Sequence, residues 1–352
     1  MSVSTITASE LLVRLHEFDT VIDARTEDEY ALDHLPGAVN WPTLSNQERI
    51  TIGTMYVQVS QFEAKKRGAA MAARNIAAHI EREVMDKPRD WKPLAYCWRG
   101  GKRSGSLALI LGQIGFRVTM VDGGYKAFRA AVVAATPSLV RPLQWRVICG
   151  TTGSGKTRLL HALAAQGAQV LDLEALAKHR SSVLGAIPGV SQPSQKRFDT
   201  LVWSALRTFD PSKPVYVESE SKKVGNVAVP MCLIEAMRAS PCINLELPQA
   251  QRVALLLEDY DYFVNNTEHF CSRLQVLAEI RGKATVQQWI AQVRAGDIVN
   301  VVTELLALHY DPVYHQSMRR NFSQFDRASI CTLKSREPHD LAESAKALLQ
   351  AS

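Results

Sequence analysis

Two short stretches of this chain carry residue types and spacings suited to chemistry. The first is Gly150-Thr151-Thr152-Gly153-Ser154-Gly155-Lys156-Thr157, which reads G-x-x-x-x-G-K-T. Glycines at those intervals let successive backbone N–H groups converge on phosphate oxygens, and the start of a helix adds partial positive charge. Lys156 would reach the terminal phosphate, and Thr157 could hold a magnesium ion. The apolar run Trp145-Arg146-Val147-Ile148-Cys149 precedes the loop, and a helix-compatible run from Arg158 follows. A strand, a Gly-rich loop and a helix in that order is the setting a phosphate loop requires. A chance Gly-rich turn would not bring it.

The second stretch is Cys97-Trp98-Arg99-Gly100-Gly101-Lys102-Arg103-Ser104. A cysteine closes a short apolar strand, and a basic loop with two glycines leads into a helix. Such a loop can wrap N–H groups around one atom, the cysteine sulfur. Arg99, Lys102, Arg103 and the helix start all favour the thiolate. The product is a nucleophile that can carry a transferable atom in an anion cradle formed with Gly100 and Gly101. A buried cysteine beside a tight turn is the plain alternative. The placement and three basic neighbours favour chemistry.

The elements that must position these stretches are legible in outline. Thr20-Val21-Ile22-Asp23-Ala24-Arg25 reads as a strand, with Thr26 as the N-cap of a helix whose first turn is acidic. His34-Leu35-Pro36-Gly37-Ala38-Val39-Asn40 reads as a turn entering a strand. Residues 61–85 lack proline, are rich in Ala, Glu, Lys and Arg, and predict a helix. Its basic group Lys65, Lys66 and Arg67 suits a solvated face or contact with RNA equally well. Pro93-Leu94-Ala95-Tyr96 is a buried strand ahead of Cys97.

A Pro/Ser-containing stretch divides the chain. The expected domains are 1–135, a linker at 136–144, an α/β domain at 145–265 and a helical region at 266–352. In the second half, Asp172 ends a strand, where it could touch a phosphate-bound ion or a second substrate. Arg180 lies in the basic run Lys178-His179-Arg180-Ser181-Ser182, and 185–195 reads as a loop that could close over a ligand or simply connect. Residues 198–208 predict a helix with Trp203 in the core. Pro214-Val215-Tyr216-Val217-Glu218-Ser219-Glu220 is a strand ending in two acids, the place where such folds put the acid that manages metal or water. Lys222 and Lys223 follow, and Glu218 could instead pair with Lys222 at a surface. Cys242 opens the last expected strand. The remainder predicts helices, broken at Tyr310-Asp311-Pro312-Val313-Tyr314. Arg319 and Arg320 form a basic patch beside Phe322, which suits RNA contact.

Composition bounds the class. The chain has 352 residues, 46% hydrophobic and 22% charged, as in ordinary soluble proteins. No apolar run reaches membrane-spanning length, and the N-terminus lacks the basic-then-apolar pattern of a signal peptide. Six cysteines form no C-x-x-C pair, so neither a zinc knuckle nor a disulfide framework is indicated, and a reducing, cytoplasmic setting is expected. The formal charge of +6 permits a polyanionic partner such as RNA.

On Asp23-Ala24-Arg25, His34-Leu35-Pro36-Gly37-Ala38, Cys97 and Gly123-Gly124-Tyr125-Lys126-Ala127-Phe128, residues 5–130 resemble a rhodanese domain. That resemblance implies an α/β fold with a central parallel sheet, and sulfur or selenium carried on Cys97. The cysteine loop is longer and more basic than in a simple sulfurtransferase, and residues 41–89 form a sizeable insertion. Adding the phosphate loop, Val217-Glu218-Ser219-Glu220-Ser221 and Tyr310-Asp311-Pro312-Val313-Tyr314, the whole chain resembles the tRNA 2-selenouridine synthase family, with a P-loop NTPase-like α/β domain after the rhodanese-like one. Ser181 stands where that pattern would have glycine, and Lys222 where it would have arginine. The resemblance implies a tRNA substrate with 2-thiouridine at the wobble position. Its sulfur would be alkylated from geranyl diphosphate, and selenophosphate from a selenophosphate synthetase would then replace geranylthiol. Residues 150–157 would hold the leaving diphosphate, with Mg2+ assisting through Thr157 and Glu218. Two other readings stay open: an ATP-dependent tRNA sulfurtransferase, and a nucleotide-switch scaffold with a degenerate rhodanese module.

Overall fold

The structure, a computed structural model, describes residues 3–182 and 184–351. The chain forms two compact units, Met1–Pro137 with Pro193–Ser204, and Ser138–Gln192 with Ala205–Ser352.

The first unit has five strands: β1 Ser4–Ile6, β2 Thr20–Asp23, β3 Ala38–Asn40, β4 Pro93–Tyr96 and β5 Thr119–Val121. They run parallel in the order β1-β5-β4-β2-β3. β4 is central and buried throughout, which is why its sequence shows no polar alternation. Asp23 pairs with Tyr96, so β2 and β4 end side by side at one sheet edge, and Cys97 follows directly after β4. Thr26 caps its helix as expected, in a reciprocal pair with Glu29.

The region 41–89 holds two helices, Asn46–Gln58 and Gln61–Glu83, packed on each other. Only the second was visible from composition. The first has no buried residue and so no apolar stripe. Its one sequence signal is Ser45 with Glu48, a reciprocal cap.

The helix Gln195–Leu206 matches the prediction for 198–208 in type, and Trp203 is buried. Its residues up to Ser204 pack into the first unit. Trp203 meets Phe128 edge to face at 5.9 Å, Thr200 Oγ1 donates to Asp33 Oδ2 at 2.9 Å, and Asp199 pairs with Arg129.

The second unit is built on β6 Gln144–Cys149, β7 Gln169–Leu171, β8 Pro214–Glu218, β11 Cys242–Glu246 and β12 Ser329–Thr332, with a small hairpin of β9 Lys223–Val224 and β10 Val227–Ala228. The main sheet is parallel in the order β12-β11-β6-β8-β7. Ile148 pairs with Glu218, so the phosphate loop and the acid after β8 share one edge.

Two expectations for this unit are corrected. β11 is not the last strand, because β12 adds to it from near the C-terminus. β12 is a short, mostly exposed edge strand and lacks the apolar run that marks a buried one. Nor does the chain break at Tyr310. Ile298–Leu305 passes through a π-helical turn, Leu306–Tyr310, into the helix Asp311–Asn321. The wide turn puts Pro312 in the first turn of the next helix, where its missing N–H costs little. The C-terminal helices enclose a second core around Trp289, Phe263 and Leu305. Among the described residues, no helix is long and apolar enough to cross a membrane.

Candidate functional site

In the first unit, Cys97 leaves β4 and is 2% exposed. Gly100 and Gly101 take φ values of 67° and 68°, and the helix Lys102–Ile114 begins at once. Ser104, on that helix, donates its hydroxyl to the Cys97 sulfur at 3.4 Å. Arg99 and Lys102 are exposed on the loop. Arg103 turns back and grips Glu29 through two hydrogen bonds of 2.7 and 3.2 Å. Its charge is therefore largely spent inside the unit, not offered to a bound anion.

The loop is braced from behind. Tyr125 N–H donates to Cys97 O at 2.8 Å and Lys126 N–H to Trp98 O at 3.1 Å. A Cβ on Gly124 would lie 2.4 Å from Cys97 O, so this close approach requires glycine. Arg25 is buried in a two-toothed pair with Asp23, which also accepts from Tyr96 Oη at 2.7 Å. Burial opposes the Arg25 charge, but its hydrogen bonds to Asp23 outweigh that and push its pKa upward. The Asp-x-Arg element is thus a structural clamp under the sulfur loop.

In the second unit, residues 150–157 form the loop between β6 and the helix Lys156–Ala165. Gly150 sits at φ 153°, and a Cβ there would fall 2.5 Å from Ser154 Oγ and 2.9 Å from Leu245 O. Lys156 Nζ donates to Gly150 O at 2.8 Å, folding across the loop as a cation waiting for an anion. Two buttresses hold the loop. Arg252 donates to Thr152 O at 3.0 and 2.8 Å and to both oxygens of Asp311 at 3.0 and 2.6 Å. Tyr314 accepts from the Gly150 N–H at 2.5 Å. Asp311 and Tyr314 come from the string that the sequence marked as a break in the helical pattern and as part of the family resemblance. Its function is to brace the loop from a distant helix.

Beside the loop stand three carboxylates, Glu174, Glu218 and Glu220, with oxygens within 4.8 Å of one another. Sequence reading found the last two and missed Glu174, which lies in the short helix Leu173–Ala177 after β7 with no motif around it. Burial and the charges of Glu218 and Glu220 push Glu174 up to about 9. Burial, then Glu218, pushes Glu220 up to about 7. Glu218 is raised by burial, against the pull of Lys156 and a hydrogen bond with Thr157. Its Oε1 is buried with no partner. An all-oxygen set with an orphaned carboxylate oxygen fits a hard divalent cation such as magnesium. Ser181 donates to Glu220 and sits at φ 20°, a backbone angle that explains why glycine would be expected there.

The loop and the carboxylates line one cavity of about 850 Å³, with Arg180, Lys222 and Lys223 on its wall. Asp172 is not on that wall. It caps the helix Leu173–Ala177 through Ala175 N–H at 2.8 Å and pairs with His161 at 2.9 Å. Lys65, Lys66 and Arg67 are exposed on the long insertion helix, with Lys66 paired to Glu63 at 2.6 Å. Arg319 and Arg320 are exposed in the last turn of Asp311–Asn321, and Asn321 and Phe322 beyond them line the cavity. The 185–195 loop is tied down, since Gln192 bonds Ala177 O and Val224 O at 3.0 Å each. A second, much smaller cavity of about 60 Å³ adjoins the first and is lined chiefly by apolar side chains, Phe263, Phe270, Ile298 and Leu305 among them.

Residues 7–131 match the model of the rhodanese-like domain, and residues 143–294 match that of the tRNA 2-selenouridine synthase AAA domain. A tRNA 2-selenouridine synthase of Nitrosomonas europaea is 36% identical over 247 residues, 68% of this chain and 63% of the relative. The chain belongs to the tRNA 2-selenouridine synthase family. A member from Nitrosomonas eutropha is 35% identical over 72% of this chain and 66% of its own length. These alignments thus span just under two thirds of the relatives. The family member of Sulfurovum sp. is 29% identical, with 86% of this chain and 90% of its own length aligned. Among solved structures, a rhodanese-like domain protein from Staphylococcus aureus is 20% identical over 36% of this chain and 90% of its own, with a TM-score of 0.24.

Proposed function

We propose that the chain converts 2-thiouridine at the tRNA wobble position into 2-selenouridine through a geranylated intermediate. The observation that carries this reading is the phosphate loop with Lys156 facing a cavity that also holds three carboxylates. In the first step, the thiouridine sulfur attacks C1 of geranyl diphosphate. A carbon–sulfur bond forms, the carbon–oxygen bond breaks and diphosphate leaves. Lys156 and the loop N–H groups stabilise the charge that grows on the leaving oxygen. Alkylation turns the sulfur into a neutral group that can depart. In the second step, selenium of selenophosphate attacks C2 of the uracil and geranylthiol leaves. Water then cleaves the selenium–phosphorus bond, releasing phosphate.

Thr157, Glu218 and Glu174 would hold a magnesium ion, which when bound offsets diphosphate charge. Cys97 acts in the selenium step, in a cradle whose loop N–H groups and exposed Arg99 and Lys102 suit an anionic donor. A selenophosphate synthetase would supply that donor. The basic wall of Arg180, Lys222 and Lys223, and the surfaces at Lys65–Arg67 and Arg319–Arg320, would neutralise RNA phosphates.

The test incubates the protein with thiolated tRNA and either geranyl diphosphate or selenophosphate, then reads nucleoside masses. Lys156→Ala should suppress prenylation. Cys97→Ala should lose selenium incorporation and keep prenylation. Equal loss of both steps in folded C97A would refute this division of labour. ATP consumed in step with each modified tRNA would favour a sulfurtransferase.

A further inference from the structure

We infer that the apolar cavity next to the phosphate loop is the binding chamber for the hydrocarbon chain of a prenyl diphosphate, with Ile298 and Val302 on its wall. The inference rests on the function proposed above and adds the place of the chain. Thr152, Ser182, Leu256, Tyr260 and Tyr310 line both this cavity and the phosphate-loop cavity, so the two adjoin across a shared wall. Every polar residue lining the smaller cavity belongs to that shared wall. Ser182 hydrogen-bonds the phenols of Tyr260 and Tyr310, which ties their polar tips together and leaves their rings as the doorway. Beyond it, the walls come from Phe263, Phe270, Leu305 and their apolar neighbours.

A ligand that fills both spaces must be charged at one end and hydrocarbon at the other. A nucleoside diphosphate fails this condition. Its base edge would lose its hydrogen bonds to water, and no lining side chain beyond the shared wall could replace them. A prenyl chain leaves no polar group unmet. Ile298 and Val302 stand one turn apart on the helix Ile298–Leu305, both half-buried and both lining the chamber, where a larger side chain would take up its space.

The test has two arms on the full chain. A geranyl diphosphate analogue with a photoreactive group at its far end is cross-linked and the adduct mapped. The expected label falls within 256–270 or 298–306, and label elsewhere overturns the inference. Calorimetry then compares unreactive geranyl thiolodiphosphate with inorganic diphosphate. Val302→Trp should weaken the former about tenfold or more and leave the latter within about twofold, because only the chain meets the new side chain. Unchanged affinity for both, or ATP displacing the probe more strongly than geranyl thiolodiphosphate does, also overturns it. If V302W loses inorganic diphosphate too, the label on the unaltered chain decides. Transfer to thiolated tRNA is scored separately. Label in the chamber without transfer would sink the proposed function and leave the chamber standing, while transfer with label elsewhere would do the reverse.

Discussion

The Cys97 sulfur has a hydrogen-bond donor that no motif announces, the Ser104 hydroxyl one helical turn away. That bond holds the sulfur in place, and a hydrogen bond to a charged group contributes about 1.5–3 kcal/mol. Ser104→Ala should therefore slow selenium incorporation by roughly tenfold or more while leaving prenylation intact. It should also slow iodoacetamide alkylation of Cys97 at neutral pH; unchanged alkylation would exclude this role. In the second unit, Glu174 and Glu220 hold protons at pH values where the unfolded chain has released them. Their folded pKa values, about 9 and about 7, lie above the ordinary 4.5. The folded state therefore binds more protons from pH 4.5 upward, and stability declines as pH rises through that window. Glu174→Gln should flatten the decline and stabilise the cation-free protein by at least about 1 kcal/mol at pH 8.5 in urea unfolding. Mn2+ affinity should rise at least about tenfold from pH 6 to pH 9 as the carboxylates lose their protons, and a flat profile would remove the cluster as a cation site. Glu218 and Glu220 were legible because they end an apolar strand. Glu174 was not, since only folding brings its helix against them.

At the scale of elements, each chemical loop is short and each is held by a distant segment. The helix Asp311–Asn321 supplies Asp311 and Tyr314 to the phosphate loop, and Arg252 links Asp311 to Thr152 O. Arg252→Gln would leave a partly buried carboxylate and an unbraced carbonyl. Breaking such a pair costs roughly 3 kcal/mol or more. The variant should melt lower and bind inorganic diphosphate at least about tenfold more weakly, with Cys97 alkylation unchanged. Loss of stability with diphosphate affinity intact would separate the brace from the loop. The strand–loop–helix pattern at 145–166 could be read directly, because glycine spacing is a local steric demand. The brace could not be, because residues 252 and 311 look ordinary until a π-helical turn aims one at the other. β12 and the helix Asn46–Gln58 escaped for the same reason: elements with little buried surface leave no periodic pattern.

At the scale of the molecule, the chain order of the units is not simple. Pro193–Ser204 belongs with the first unit although it follows the phosphate loop by some 40 residues in sequence. Trp203 covers Phe128, and Thr200 donates to Oδ2 of the buried Asp33, whose carboxyl burial pushes upward. A fragment of residues 1–137 should therefore be less stable than the same residues in the full chain. In differential scanning calorimetry its transition should fall by about 5 °C or more, and adding residues 138–206 should restore it. An unchanged transition would mean the helix only rests there.

The resemblance carried by the chain's strings implied the α/β fold and the family, and the sequence by itself determined the two Gly-containing loops, the helix caps and the strands that lead into the loops. Each depends on local rules: which residues tolerate positive φ, which cap a helix, which form a strand buried on both faces. Only the tertiary structure decided that Glu174 joins two other acids, that a helix past the phosphate loop completes the first unit, and that an apolar cavity adjoins the one Lys156 lines. Those are facts of juxtaposition between residues far apart in the chain, and nothing in the local preference of any one of them encodes the neighbour it will meet.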